Sequence, residues 1–130
     1  MVALTTLAFP SFFRSRTCEM GSYYGVRSCG ELIAMGGERL QLDGYSEISA
    51  LCTHPSFRGQ GFAVSLSWHL VRNHRRDGLV SWLHVGCAGG SFQRAFLASL
   101  CATRAFTSFL MSAVGSGLSM GKWIVPLDLE

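Results

Sequence analysis

The dipeptide Asp43-Gly44 lies between two runs of strand-forming residues, and it restricts this chain's fold more than any other feature. Asp-Gly favours the tight backbone reversal that joins two antiparallel strands. Before it, Glu31 to Leu42 holds Leu32, Ile33, Ala34, Met35, Leu40 and Leu42 and reads as one strand. After it, Tyr45 to Thr53 reads as the returning strand. The Gly36-Gly37 pair inside the first run predicts a bulge or a close backbone approach. Upstream, Ser22 to Arg27 carries Tyr23, Tyr24 and Val26, all good strand formers, and Ser28-Cys29-Gly30 reads as a turn. The three runs predict an antiparallel meander.

The pattern then changes. His54-Pro55-Ser56-Phe57 is a short loop, because proline disfavours helix at His54 and ends the strand; His54 is placed to cap it. Over residues 61 to 76 the spacing is helical: Phe62, Leu66, His69 or Leu70, and Asn73 recur at three- and four-residue steps, and Val64, Trp68 and Val71 broaden the apolar face. Arg72, Arg75 and Arg76 fall in the last turns, where cations oppose the helix dipole, and Asp77-Gly78 ends the helix. His69 and His74 are expected on its surface. Leu79 to Val85 reads as a fourth strand, so strand, helix and strand imply a right-handed crossover to a parallel neighbour. Residues 2 to 9 read as the end of a short helix stopped at Pro10, residues 92 to 101 as a helix, and residues 122 to 129 as a last short strand.

With 130 residues there is material for one domain, and 48% hydrophobic residues supply a core. A net charge of +3 is too small to argue for nucleic acid, though it suits an anionic small molecule. The five cysteines, at 18, 29, 52, 87 and 101, are odd in number and form no C-x-x-C pair, which argues against a disulfide framework or a zinc site. Four histidines without ligand spacing also argue against a metal. Scattered thiols fit a cytoplasmic protein. The apolar start lacks a basic leader and is not read as a signal peptide. Between Arg104 and Lys122 there is no charged residue, but the run holds Gly115, Gly117 and several serines, so a membrane span is not expected.

The chemistry concentrates at Arg58-Gly59-Gln60-Gly61-Phe62-Ala63, where strand gives way to helix. Two glycines let the backbone turn tightly and expose its N–H groups. A helix start has unpaired N–H groups and partial positive charge, and a diphosphate can accept several of those bonds at once. Arg58 adds positive charge at the mouth, and the small Ala63 leaves room for close approach. No Gly-Lys-Ser/Thr follows, so this is not a Walker loop, and the spacing is not that of a dinucleotide fold. A glycine turn that holds no ligand is the competing reading.

The longer run Glu47-Ile48-Ser49-Ala50-Leu51-Cys52-Thr53-His54-Pro55-Ser56-Phe57-Arg58-Gly59-Gln60-Gly61-Phe62-Ala63 resembles the acetyl-CoA-binding core of the GNAT N-acetyltransferase superfamily. The superfamily signature, Q/R-x-x-G-x-G/A, matches residues 58 to 63 at every specified position. The strand before it, the amphipathic helix after it and Trp82-Leu83-His84-Val85 beyond also fit. The resemblance covers about residues 20 to 86 of a single domain spanning 1–130, and residues 87–130 diverge.

The resemblance implies an α/β fold with a mixed, mostly antiparallel sheet and helices packed on it. It further implies transfer of an acetyl group from acetyl-CoA to a primary amine on a small molecule or peptide, by direct attack and without a metal. Leu51, Cys52 and Thr53 match the strand segment that pairs with the pantetheine arm. Arg58, Gly59, Gln60, Gly61, Phe62, Ala63 and Val64 match the pyrophosphate loop and first helical turn. Glu47, six residues before Thr53, matches a strand glutamate that serves some members as general base; a solvated strand carboxylate is the alternative. Cys52 is read as a packed thiol, since direct attack needs no covalent intermediate.

Two departures qualify this. The superfamily places a strand and helices before the first strand seen here, so the fold is expected to be incomplete and one sheet edge open, with self-association conceivable on that edge. Downstream, Cys87-Ala88-Gly89-Gly90-Ser91 replaces the usual asparagine, and no tyrosine occurs after Tyr45 to serve as general acid. A change of reading frame near codon 86 would produce such a tail. Three functions compete on the sequence: an N-acetyltransferase, a catalytically impaired CoA-binding remnant, and an unrelated small α/β domain.

Overall fold

The computed structural model describes residues 1–8, 13–86 and 122–127. The helix expected at 92–101, the charge-free stretch and nearly all of the divergent tail lie outside the described residues. A short helix α1 (Val2–Ala8) precedes β1 (Tyr23–Ser28), β2 (Glu31–Leu42) and β3 (Tyr45–Thr53). A 3-10 turn at Pro55–Phe57 leads into α2 (Phe62–Arg76), then β4 (Val80–Gly86) and β5 (Lys122–Leu127). The five strands form one sheet in the order β1-β2-β3-β4-β5. β1, β2 and β3 are successively antiparallel, β3 and β4 are parallel, and β4 and β5 are antiparallel. The expected meander, crossover and mostly antiparallel sheet are all present.

The two helices cover opposite faces. Side chains alternate across a strand, so residues two apart share a face until a bulge intervenes. On one face, Leu4 of α1 packs with Met35 and Cys52, and Ala8, Phe13, Tyr23, Leu32 and Ala50 gather round them. On the other, α2 packs across β2, β3 and β4. Its buried residues Ala63, Leu66, Leu70 and Val71 follow the helical period read from the sequence. Ser46, Glu47 and Ile48 are buried in succession.

His74 corrects one expectation. It is not on the surface but 1% exposed. Its Nδ1 lies 2.6 Å from Ser81 Oγ and its Nε2 lies 3.1 Å from Glu38 Oε1. A carboxylate can only accept, so Nε2 carries the proton and donates to Glu38. The imidazole therefore ties α2 to both β2 and β4. The partners on the two strands make its burial tolerable.

The Gly36-Gly37 pair serves close approach as well as a bulge. The β2–β3 register shifts between Met35 and Gly37, and a Cβ on Gly37 would lie 2.3 Å from the Tyr23 ring and 2.7 Å from the Ser22 carbonyl oxygen. Gly37→Ala must displace a backbone atom, so it should cost about 1–3 kcal/mol of stability. A lowered urea midpoint at unchanged slope is the expected readout.

Candidate functional site

The site begins where two strands part. β3 and β4 pair from Tyr45/Val80 to Ile48/Leu83 and no further, although β3 continues to Thr53 and β4 to Gly86. Opposite Gly36 of β2, β3 carries two residues, Ala50 and Leu51, between register partners Ser49 and Cys52. Ala50 takes up the bulge with φ of 53°, in the left-handed region that costs a residue with a Cβ roughly 1–2 kcal/mol. A bulge bends its strand and increases twist. Beyond it, the β4-facing backbone groups of Leu51, Cys52 and Thr53 have no strand partner among the described residues, an arrangement that lets an extended ligand lie alongside.

At the outer end of this split lies the start of α2. Its N-cap is Gly61, with φ of 83° and no side-chain cap. The first intrahelical bond runs from Ser65 N to Gly61 O, so the N–H groups of Phe62, Ala63 and Val64 have no helical acceptor. Gly59 and Gly61 both hold positive φ, and a Cβ on either would point into open space. The loop therefore presents unpaired donors behind an unobstructed surface. His54 caps the preceding 3-10 turn, its Nδ1 accepting from Ser56 N at 3.2 Å. Arg58 does more than face the mouth: it donates long hydrogen bonds to the Thr53 carbonyl (3.4 Å) and to the last carbonyl of α1 at Ala8 (3.5 Å). It thus joins loop, strand and helix end.

At the inner end, Glu47 is 2% exposed and held by Arg39, which is 42% exposed. Nη2 of Arg39 donates to Oε1 at 2.8 Å and to Oε2 at 3.0 Å, and Nε donates to Oε2 at 3.1 Å. Glu47 is thus a buried, paired carboxylate, not a solvated one. Arg39 is the residue that sequence reasoning missed. Counting back from the turn sets Leu40 opposite Glu47, but the register shifts between Glu38 and Gln41, and that bulge delivers Arg39 instead. Tyr23 shares this face, and its buried hydroxyl has no hydrogen-bond partner among the described residues. Burial pushes its phenol above the usual range, and nearby Arg39 partly opposes the rise.

The pattern of strand split, uncapped helix start and glycine loop now has counterparts. Residues 23–100 match the model of the FR47-like protein family, more than half of the chain. The chain belongs to the FR47-like family, within the GNAT superfamily. No curated relative matches it. Among solved structures, this FR47-like chain is similar to a GNAT-family protein from Novosphingobium aromaticivorans DSM 12444, at 27% identity and TM-score 0.69. That match covers 99% of this chain and 51% of the other, so the chain spans about half its length. A GNAT-family acetyltransferase from Elizabethkingia anophelis, crystallised with acetyl-CoA, aligns at TM-score 0.68 and 14% identity, covering 98% and 90% of the two chains. The ribosomal-protein-S18-alanine N-acetyltransferase of Escherichia coli aligns at TM-score 0.68 and 16% identity, covering 98% and 86%. At those identities the last two speak for the fold alone.

Cys52 lies in the split strand but is buried against Leu4 and Met35. Desolvation pushes its thiol from the ordinary 9.0 up to about 11. The reactive thiolate is therefore about a hundredfold scarcer than in an exposed cysteine, which fits a packed thiol. At pH 8, iodoacetamide should label the exposed Cys18 and Cys29 well before Cys52, as peptide mass mapping would read. The shift also links stability to pH. The unfolded chain loses this proton near 9 and the folded chain near 11, so the stabilisation present below pH 9 declines as pH rises through that window.

Proposed function

We propose that this FR47-like protein binds acetyl-CoA between β3 and β4 and transfers the acetyl group to a primary amine. The observation that carries the reading is the early end of β3–β4 pairing beside a helix start with unpaired N–H groups. The pyrophosphate would accept from the amides of the Gly59–Val64 loop, with Gln60 and Phe62 flanking it and Arg58 adding charge. The pantetheine arm would lie along Leu51, Cys52 and Thr53 as an added strand. Acetyl-CoA bound to the Elizabethkingia protein of the same fold supports this choice of cosubstrate.

The reaction would proceed by direct attack. The neutral amine nitrogen adds to the thioester carbonyl carbon, and its surplus proton passes towards Glu47, through a water because Arg39 already occupies both carboxylate oxygens. A backbone N–H near the bulge stabilises the oxyanion. The C–S bond then breaks, the amide is left on the acceptor, and CoA departs as thiolate to be protonated from solvent. No tyrosine follows Tyr45 in the sequence, so no phenol from that part of the chain is assigned to this last proton transfer.

One observation favours a second reading, CoA binding without turnover: the Arg39–Glu47 pair must tolerate a proton arriving on its carboxylate. Calorimetric titration with CoA tests the shared claim, and saturable binding is expected. Gly61→Val, which forces a branched side chain onto φ of 83° and into the open loop, should weaken CoA at least about tenfold. Glu47→Gln should lower acetyl-CoA turnover with mixed amines about a hundredfold while CoA affinity stays within about twofold. Absence of CoA binding would sink both readings; binding without turnover in the unmodified chain would leave the second.

A further inference from the structure

Three polar groups share the α1-side face. Tyr23, Gly37 and Ser49 are successive register partners across β1, β2 and β3, and Arg39 and Glu47 stand two residues further along their strands. Strand alternation therefore puts Tyr23, Arg39 and Glu47 on one side of the sheet. α1 covers the Met35–Cys52 end of that side, while Arg39 at the other end remains 42% exposed. Tyr23 also packs against the Leu4, Met35 and Cys52 cluster, as does Ala50 at the β3 bulge.

Each group has a definite hydrogen-bonding capacity. Arg39 spends Nε and Nη2 on Glu47, and its Nη1 makes no hydrogen bond among the described residues. Tyr23 contributes a hydroxyl that is buried and without a partner among the described residues. An orphaned buried donor is costly unless something fills it. The shift of its phenol above the usual range keeps that hydroxyl protonated, hence a donor, at neutral pH. Glu47 contributes only acceptors. The surface thus offers a cation and a neutral donor beside an anion, with arginine and carboxylate 2.8 Å apart.

We infer that the acceptor is an α-amino acid, whose carboxylate is held by Arg39 Nη1 and the Tyr23 hydroxyl while its amine faces Glu47. The inference rests on the acetyl-transfer reading above. An α-amino acid carries opposite charges one carbon apart, which matches the adjacent arginine and glutamate. A diamine would bring its second cation against Arg39, and a peptide N-terminus or an amino-acid amide offers a neutral carbonyl where the site presents a guanidinium. Bonds between two charged groups are roughly twice as strong as neutral ones.

The test compares glycine, leucine, phenylalanine and glutamate each with its α-amide, and with 1,4-diaminobutane. It uses acetyl-CoA turnover and, independently of turnover, calorimetric titration into the CoA-loaded protein. At least one acid should exceed its amide about tenfold in kcat/KM or in affinity. Arg39→Met should bring that ratio near one. Since it also strips a buried carboxylate of its partner and can compromise folding, Tyr23→Phe provides a second check. Removing an unpartnered hydroxyl is benign to a fold, so a narrowing of the ratio by about threefold or more would report a ligand contact. Equal use of acid and amide, preference for the diamine, or a ratio unmoved by Tyr23→Phe would overturn the inference. Failure to bind CoA would sink the cosubstrate reading instead, and is scored separately; in that event the same titrations run on the unloaded protein still decide the acid–amide question.

Discussion

The parallel pairing of β3 with β4 stops at Ile48 and Leu83, and most of the candidate site follows from that stop. A parallel pair joined through a crossover helix places that helix on one face and its N-terminus near the strand's outer end. Had pairing continued, the backbone of Leu51 to Thr53 would be consumed by β4, and the α2 start would face a closed sheet. The break is assisted by Ala50, whose left-handed φ of 53° would suit glycine better. The neighbouring strand yields on its other side, where Gly36 opposes the two-residue bulge without a side chain to clash. Strain in β3 and the missing Cβ in β2 are two halves of one local solution.

Polar groups buried in the sheet are disposed by face. On the α2 side, His74 bridges Ser81 and Glu38, and every named atom has a partner, so the network fixes the far end of the helix without demanding a ligand. On the α1 side, Arg39 and Glu47 are paired, and the Tyr23 hydroxyl has no hydrogen-bond partner among the described residues. A buried ion pair is weak evidence for stability, since desolvation offsets its attraction, whereas loss of one partner is severe.

Most of the backbone plan could be read from local chemistry. Asp43-Gly44 announced the hairpin, the change from strand to helical spacing announced α2, and Gly59 with Gly61 announced the loop between them. These signals are legible because each depends on residues close in sequence. What could not be read depends on register. Arg39 reaches Glu47 only through a bulge between Glu38 and Gln41, and no residue type there declares it. The burial of His74, expected on the surface, is not legible locally, because its partners Ser81 and Glu38 lie on two different strands. Arg58 was read as a charge at the mouth, while its tie to the Ala8 carbonyl brings together positions 50 residues apart.

The order of groups along β3 sets how a proton must travel. Pantetheine extending inward from the α2 start past Thr53, Cys52 and Leu51 would bring the thioester to the inner end of the split, near Ser49 and Ala50. Glu47 lies two residues beyond Ser49 in the paired part of the strand, about 7 Å at the usual rise. That backbone separation exceeds a direct hydrogen bond of ~3 Å and is consistent with a relay through water. Burial of Glu47 under Arg39 points the same way, because a carboxylate 2% exposed is reached more readily by a water than by a substituted amine. In the proposed reaction the strand would space the base from the carbonyl, and the arginine that shields the base would supply the charge to hold an acceptor at that spacing.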